Sequence, residues 1–240
     1  MNNKFDLIVF GSTSELMQAI IKDHKKWFLD NVNELTVVQR TDNFPEIYEE
    51  FNPKSIKLDC SNAQEFGREL KNIAENYVKT GRQVNIFPTY GQFTFDYSDK
   101  NPVFRFQENG FQINLNSRLQ ILDAFKDNKN ARFHFFGSLL GSFPYLGDYA
   151  NSMWYINQLP KNAEYRNLNL IIYNLGGMQT RFWDFKKRPD FKPFIHATLP
   201  TDFVVETGFK TPTNTGVFTK YPSFMSRIAT WLGRRGMRPF

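Results

Sequence analysis

Short apolar runs, each followed by a longer amphipathic stretch, recur along this chain, and that alternation most narrows the folds open to it. The runs are 6–10 (DLIVF), 35–39 (LTVVQ), 55–58 (SIKL), 83–87 (QVNIF), 132–136 (RFHFF) and 169–173 (NLIIY). Between them the spacing predicts helices near 14–28, 44–51, 62–79, 103–127 and 148–159. In the third of these, Phe66, Leu70, Ile73, Tyr77 and Val78 keep i, i+3/i+4 spacing, so the helix lays one face on a sheet. Strands separated by helices are joined in parallel by right-handed crossovers. The expected fold class is therefore α/β: a doubly wound, Rossmann-like parallel sheet in a single domain over 1–240 with an irregular C-terminal extension.

That extension has two parts. Residues 181–220 read as a Pro-, Phe- and Lys-rich loop on the substrate side, and 221–240 as a basic amphipathic tail. In the tail Phe224, Ile228, Trp231 and Leu232 share a face, while Arg227, Arg234, Arg235 and Arg238 meet no acid. Such a segment suits peripheral contact with an anionic membrane, although docking on its own or a partner subunit is the preferred expectation.

Composition excludes several classes. With 41% hydrophobic and 22% charged residues the chain is not disordered. A net charge of +6, unclustered, is too weak to argue for a specific nucleic-acid partner. The lone Cys60 rules out an internal disulfide, and with three dispersed histidines it argues against any metal site. No apolar run reaches the roughly 18 residues of a membrane span, and the start MNNKFDLIVFG is too short for a signal peptide. A cytoplasmic protein is expected. The 26 phenylalanines read as compositional bias rather than as a binding surface.

Open α/β sheets bind ligands at the carboxyl ends of their strands. The first run passes into Gly11-Ser12-Thr13-Ser14 at a helix start, where backbone N–H groups and the dipole suit a phosphate. The same residues would equally serve as a turn and N-cap. The second run ends at Arg40, with no acid to hold a ribose hydroxyl, which suits the 2′-phosphate of NADP better than NAD. Asp59 closes the third run, and Thr89-Tyr90-Gly91 follows the fourth.

Ser138, in Phe136-Gly137-Ser138-Leu139-Leu140-Gly141, and Tyr149, in Tyr149-Ala150-Asn151-Ser152-Met153, complete an ordered series. Over about 5–181 the chain resembles the short-chain dehydrogenase/reductase family. Gly11–Leu16 looks like its glycine-rich turn, Asp59 like its adenine-side acid, and Thr89-Tyr90-Gly91 like its Asn-Ala-Gly. Asn114 looks like its helix asparagine, and Ser138 with Tyr149 like its active-site pair. Leu175-Gly176-Gly177-Met178-Gln179-Thr180 sits where the family has Pro-Gly and then a carboxamide-holding threonine. The Gly-x-Thr-Ser-Glu-Leu start is most similar to reductases of polyprenyl-phosphate-linked sugars.

The resemblance implies an NADP(H)-dependent reductase of a small-molecule carbonyl compound, working as a homodimer. Tyr149 would donate the proton, Ser138 polarise the carbonyl and Asn114 hold a relay water. Gly11, Ser12, Thr13 and Ser14 would meet the pyrophosphate, Arg40 the 2′-phosphate and Asp59 the adenine. Gly91 and Gly176 would line the cofactor, and Thr180 would hold the carboxamide.

The chain departs from the family at Met153, where a lysine one helical turn past the tyrosine holds the nicotinamide ribose and lowers the phenol's proton affinity. The next cation on that helix, Lys161, lies beyond Pro160 and about three turns away. Met17 replaces the third glycine, where close helix–phosphate packing excludes a side chain. Leu175 replaces the proline, and Ser138 and Tyr149 stand closer in sequence than is usual. A neutral Tyr149 still suits reduction, whereas oxidation needs a phenolate. A second reading stays open: a catalytically impaired family member, a pseudoenzyme, acting as a binding or regulatory protein with or without dinucleotide.

Overall fold

The structure, a computed structural model, describes residues 4–41, 44–92, 94–95, 104–105, 109–144, 147–178, 195–196, 198–210 and 215–236. Each expected apolar run forms a strand: β1 (Phe5–Phe10), β2 (Val32–Gln39), β3 (Lys54–Lys57) and β4 (Val84–Pro88). Two short strands, β5 (Thr94–Phe95) and β6 (Phe104–Arg105), form an antiparallel pair. β7 (Ala131–Ser138) and β8 (Asn169–Leu175) follow, and β9 (Gly177–Met178) pairs in parallel with β10 (Ile195–His196). β11 (Gly216–Lys220) closes the series. The main sheet has seven strands in the order β11-β8-β7-β4-β1-β2-β3, all parallel. The chain moves outward from β1 to β3 and then returns to β4 on β1's other side, so the strand order reverses between β1 and β4. Crevices form at such a reversal, outside the carboxyl ends of the strands.

The helices are α1 (Glu15–Asp23), α2 (Lys25–Asn31), α3 (Ala63–Thr80), α4 (Ser117–Phe125), α5 (Asp148–Gln158), α6 (Thr201–Val205) and α7 (Phe224–Gly233). They cover both faces of the sheet, and β1 shows why it is buried along its whole length. Ile8 and Phe10 pack with Phe66, Leu70, Ile121 and Phe125 from α3 and α4. Leu7 and Val9 face the other way, toward Leu16, Met17, Ile20 and Phe28. The period-2 alternation of a strand sorts one apolar run onto two layers. Asp6, fully buried within β1, is held by Arg82 Nε at 3.0 Å and by Asn33 Nδ2 at 3.0 Å.

Several boundaries differ from the sequence expectation. The helix expected over 14–28 is broken at His24 into α1 and α2, and that over 44–51 is a 3₁₀ helix, Glu46–Phe51. The helix expected from 103 starts late: residues 104–105 pair as β6, and a π-helical segment, Gln112–Asn116, leads into α4. α3 is capped by the Asn62 side chain and ends at Gly81 with φ of +67°, the usual left-handed terminus. Its buried stripe is Phe66, Leu70, Ile73, Ala74 and Tyr77, while Val78 is turned out of it and exposed.

The expected loop 181–220 contains ordered structure at its end. α6, a following π-helical segment Glu206–Lys210 and the edge strand β11 all fall inside it. In the tail, α7 docks on the body through small residues, Ser226, Ala229, Thr230 and Gly233. A Cβ at Gly233 would overlap the Phe143 ring. Phe224, Met225, Ile228 and Trp231 face outward. Among the described residues, no helix is long and apolar enough to cross a membrane.

Candidate active site

Because all seven strands of the main sheet are parallel, their carboxyl ends share one edge, and the chemistry-bearing residues collect there. β1 runs into Gly11, whose φ of +80° strains any residue with a side chain. A Cβ at Gly11 would also stand 3.0 Å from Cβ of Tyr90, so the turn after β1 lies directly against the turn after β4. Thr89 fastens the two: its hydroxyl donates to the Phe10 and Gly11 carbonyls at 2.9 and 2.7 Å. Ser14 caps α1, its hydroxyl accepting from Met17 N at 3.4 Å, and Thr13 is exposed.

Ser12 is fully buried. Its hydroxyl donates to Gln39 Oε1, and its carbonyl accepts from Tyr48 Oη at 3.1 Å. Its side chain therefore braces the turn from beneath, and only its backbone N–H is left to meet a phosphate. Met17, the expected obstruction, is also fully buried and packs on the α1 side of the sheet with Leu7, Val9 and Phe28. A side chain at this position is accommodated because it turns into the core.

Along the same edge, Arg40 is exposed at the end of β2. Asp59, half-buried past β3, accepts from Ser61 N at 2.9 Å and so shapes the approach to α3. Asn114 lies buried in the π-helical segment and clamps the turn after β4. Its Oδ1 accepts from Gln92 N at 2.8 Å, and its Nδ2 donates to Gln92 O at 2.6 Å. Gly91, between these anchors, passes 3.6 Å from Asn114 Oδ1, measured to the position a Cβ would take.

Ser138 is the last residue of β7, and its hydroxyl accepts from Leu140 N at 3.2 Å. Tyr149 stands in the first turn of α5, and its phenol is hydrogen-bonded to Ser138. The two come together because the 3₁₀ turn Leu139–Ser142 lies tight on α5: a Cβ at Gly141 would stand 2.8 Å from the Met153 carbonyl carbon and the Trp154 nitrogen. Burial pushes the Tyr149 phenol above the ordinary tyrosine value, while Arg118 and the Ser138 hydrogen bond pull it down. At neutral pH it is a protonated donor. Met153, one turn along α5, is buried in the apolar core.

No family model matches the sequence, and no curated protein matches it either. Solved structures do. A short-chain dehydrogenase from Streptomyces avermitilis superposes with a TM-score of 0.65 at 10% identity, over 97% of this chain and 92% of that one. One from Shigella flexneri gives 0.64 at 16% identity, over 90% and 91%. A third is a short chain dehydrogenase from Escherichia coli CFT073 complexed with NADPH. It gives 0.62 at 15% identity, over 91% and 98%.

This is the short-chain dehydrogenase/reductase fold. Within it, Gly11, Arg40, Asp59, Gly91 and Ser138 stand at the carboxyl ends of their strands, with Asn114 bonded to the turn after β4 and Tyr149 to Ser138. Gly176 follows β8 on the same edge, with its N–H donating to His196 Nε2 at 3.3 Å. Thr180 lies outside the described residues. One charged residue of the site escaped the sequence reading. Arg118 is buried one turn beyond Asn114, with Nη1 donating to the Asn114 carbonyl at 2.7 Å and Nη2 to the Tyr90 carbonyl at 2.6 Å. The only sequence signal for it was a basic residue on the buried face of α4.

Proposed function

We propose that this chain is an NADP(H)-dependent short-chain reductase of a small-molecule carbonyl compound. The observation that carries the reading is the hydrogen-bonded Ser138–Tyr149 pair at the carboxyl edge of the sheet. Two hydroxyls in contact, one a protonated phenol, suit a carbonyl oxygen that gains a proton as its carbon is reduced. Bound NADPH supplies the hydride equivalent for that chemistry.

The residues at the crevice fit such a cofactor. Gly11 takes a left-handed φ and lies against the turn after β4, so only glycine fits where β1 passes toward the start of α1, and a helix start suits a pyrophosphate. Met17 does not obstruct it. Gly11, Ser12, Thr13 and Ser14 would hold the pyrophosphate, Ser12 through its backbone alone. Arg40 would hold the 2′-phosphate, Asp59 the adenine, Gly91 and Gly176 the flanks, and Thr180 the carboxamide. Tyr149 gives up the proton and Ser138 orients the substrate oxygen. Asn114 keeps the Gln92 backbone in place, which holds the floor of the crevice still.

A second reading, a catalytically impaired dinucleotide-binding protein, draws on the burial of Met153 where a lysine is expected. Titration with NADPH, followed by tryptophan fluorescence and melting temperature, tests what the two share. Absence of both responses at millimolar NADPH refutes the reductase. If NADPH binds, turnover over a panel of ketones and aldehydes separates them: Tyr149→Phe lowers the reductase's turnover by about 10²–10⁴-fold, and no turnover by the parent chain favours the second reading.

A further inference from the structure

Loss of the family's lysine leaves Tyr149 without a cation on its own helix, since Met153 is 1% exposed and packed among Leu159, Ile156 and the α4 side chains. A cation nevertheless enters from another element. Arg118, 2% exposed, spreads its guanidinium over backbone oxygens: Ile113 O at 3.1 Å, Asn114 O at 2.7 Å and Tyr90 O at 2.6 Å. It lies 5.1 Å from the centroid of the Tyr90 ring. Its Nε is buried with no hydrogen-bond partner, and among the described residues no carboxylate pairs with it. A buried charge held only by neutral acceptors costs several kcal/mol in an ordinary core. Such an arrangement is typical of sites that use the charge.

The position fits that use. α5 packs against the π-helical segment whose Asn114 carbonyl receives the guanidinium. The segment packed against α5 therefore carries a buried positive charge, and that charge lowers the proton affinity of Tyr149. We propose that Arg118, reaching in from α4, replaces the missing lysine as the charge that sets the proton affinity of Tyr149. This rests on the reductase reading and names Arg118 as a positioning residue acting through the phenol.

Among the described residues, several groups face the pair. Tyr90 comes from the turn after β4, and Cys60 from the turn after β3, its thiol pushed up to about 11 chiefly by burial. Asp59 and Arg40 act on Cys60 in turn, and Asp148 accepts from the Tyr149 backbone N–H at 2.8 Å. Cys60, Tyr90 and Tyr149 are all neutral near pH 7 because burial raises each of them. Arg118 supplies the field that reaches the phenol from α4.

The test uses the full chain without cofactor or substrate. 3,5-Difluorotyrosine is placed at position 149, where fluorination brings the ionisation into a range the fold tolerates, and its midpoint is read by ¹⁹F NMR. Arg118→Gln keeps hydrogen-bond donors but removes the charge, and it should raise the midpoint by about 1–3 units. Arg118→Lys should leave it within about half a unit, because it keeps the charge. The exchange Arg118→Met with Met153→Lys should return it toward the parent value, and serves if Arg118→Gln fails to fold. An unmoved midpoint in Arg118→Gln, an equal shift in Gln and Lys, or an exchange variant no lower than Arg118→Met alone overturns the proposal. Failure of NADPH to bind would remove the reductase reading and leave the midpoint result standing, so the two can fail separately.

Discussion

Placing at position 17 the glycine that the sequence resemblance leads one to expect should damage this protein rather than improve it. Met17 is fully buried against Leu7, Val9 and Phe28. Truncating a core methionine to alanine costs about 2–5 kcal/mol, and glycine in a helix adds about 1 kcal/mol more. Met17→Gly should therefore lose roughly 3–6 kcal/mol, a large part of the ~5–15 kcal/mol that holds a typical domain. At about 2–4 °C per kcal/mol for a chain of this size, the melting temperature should fall by on the order of 10 °C. Urea unfolding with an unchanged m-value measures the loss, and NADPH titration in parallel should show no gain in affinity. A variant within about 1 kcal/mol of the parent that binds NADPH roughly tenfold tighter would show that the thioether fills the phosphate cradle.

Other perturbations probe separate parts of the site. Tyr149→Phe should lower carbonyl reduction by about 10²–10⁴-fold, with NADPH affinity by fluorescence unchanged. Thr89→Val leaves the Phe10 and Gly11 carbonyls without their hydroxyl donor; chemical unfolding should register a loss of about 1–3 kcal/mol, together with weaker NADPH binding. Stability should also fall with acid. His134 is fully buried, with Nε2 donating to Asn85 Oδ1 at 2.9 Å and Nδ1 accepting from Tyr173 Oη at 2.7 Å. Burial, aided by Arg132, holds its proton affinity well below the ordinary 6.5. The unfolded chain therefore takes up the proton first, and stability drops as pH falls below about 6.5, by at most about 1.4 kcal/mol per pH unit for this group. His196, lowered by its own burial, adds in the same direction. Urea midpoints at pH 7.5 and 5.5 should differ accordingly in the parent, and by less in His134→Phe.

The sheet was legible because most of its strands are dense apolar runs, and every one of the six expected strands formed, β3 included although it is Lys-Ser-Ile-Lys and largely exposed. β11 was not, since Gly216–Lys220 is short, only half-buried and flanked by polar residues. The pairing of Ser138 with Tyr149 could be expected from motif order, but not its tightness, which depends on Gly141 meeting the α5 backbone. Met17 misled for a local reason. A rule about glycine at a phosphate turn assumes that a side chain points at the ligand, and the helix turns this one inward. Arg118 was hidden for a non-local one. Sequence spacing shows which residues share a helix face, and the missing charge was sought on α5, whereas packing delivers it from α4.

The seating of α7 against Phe143, just past the 3₁₀ turn that follows Ser138, bears on the order in which the protein is made. A growing polypeptide would lay down β1 to β4 early, while the support behind the Ser138 turn arrives only when residues 224–233 have left the ribosome. The Ser138 turn would thus gain its backing only after α7 has emerged, well after β7 and α5 themselves.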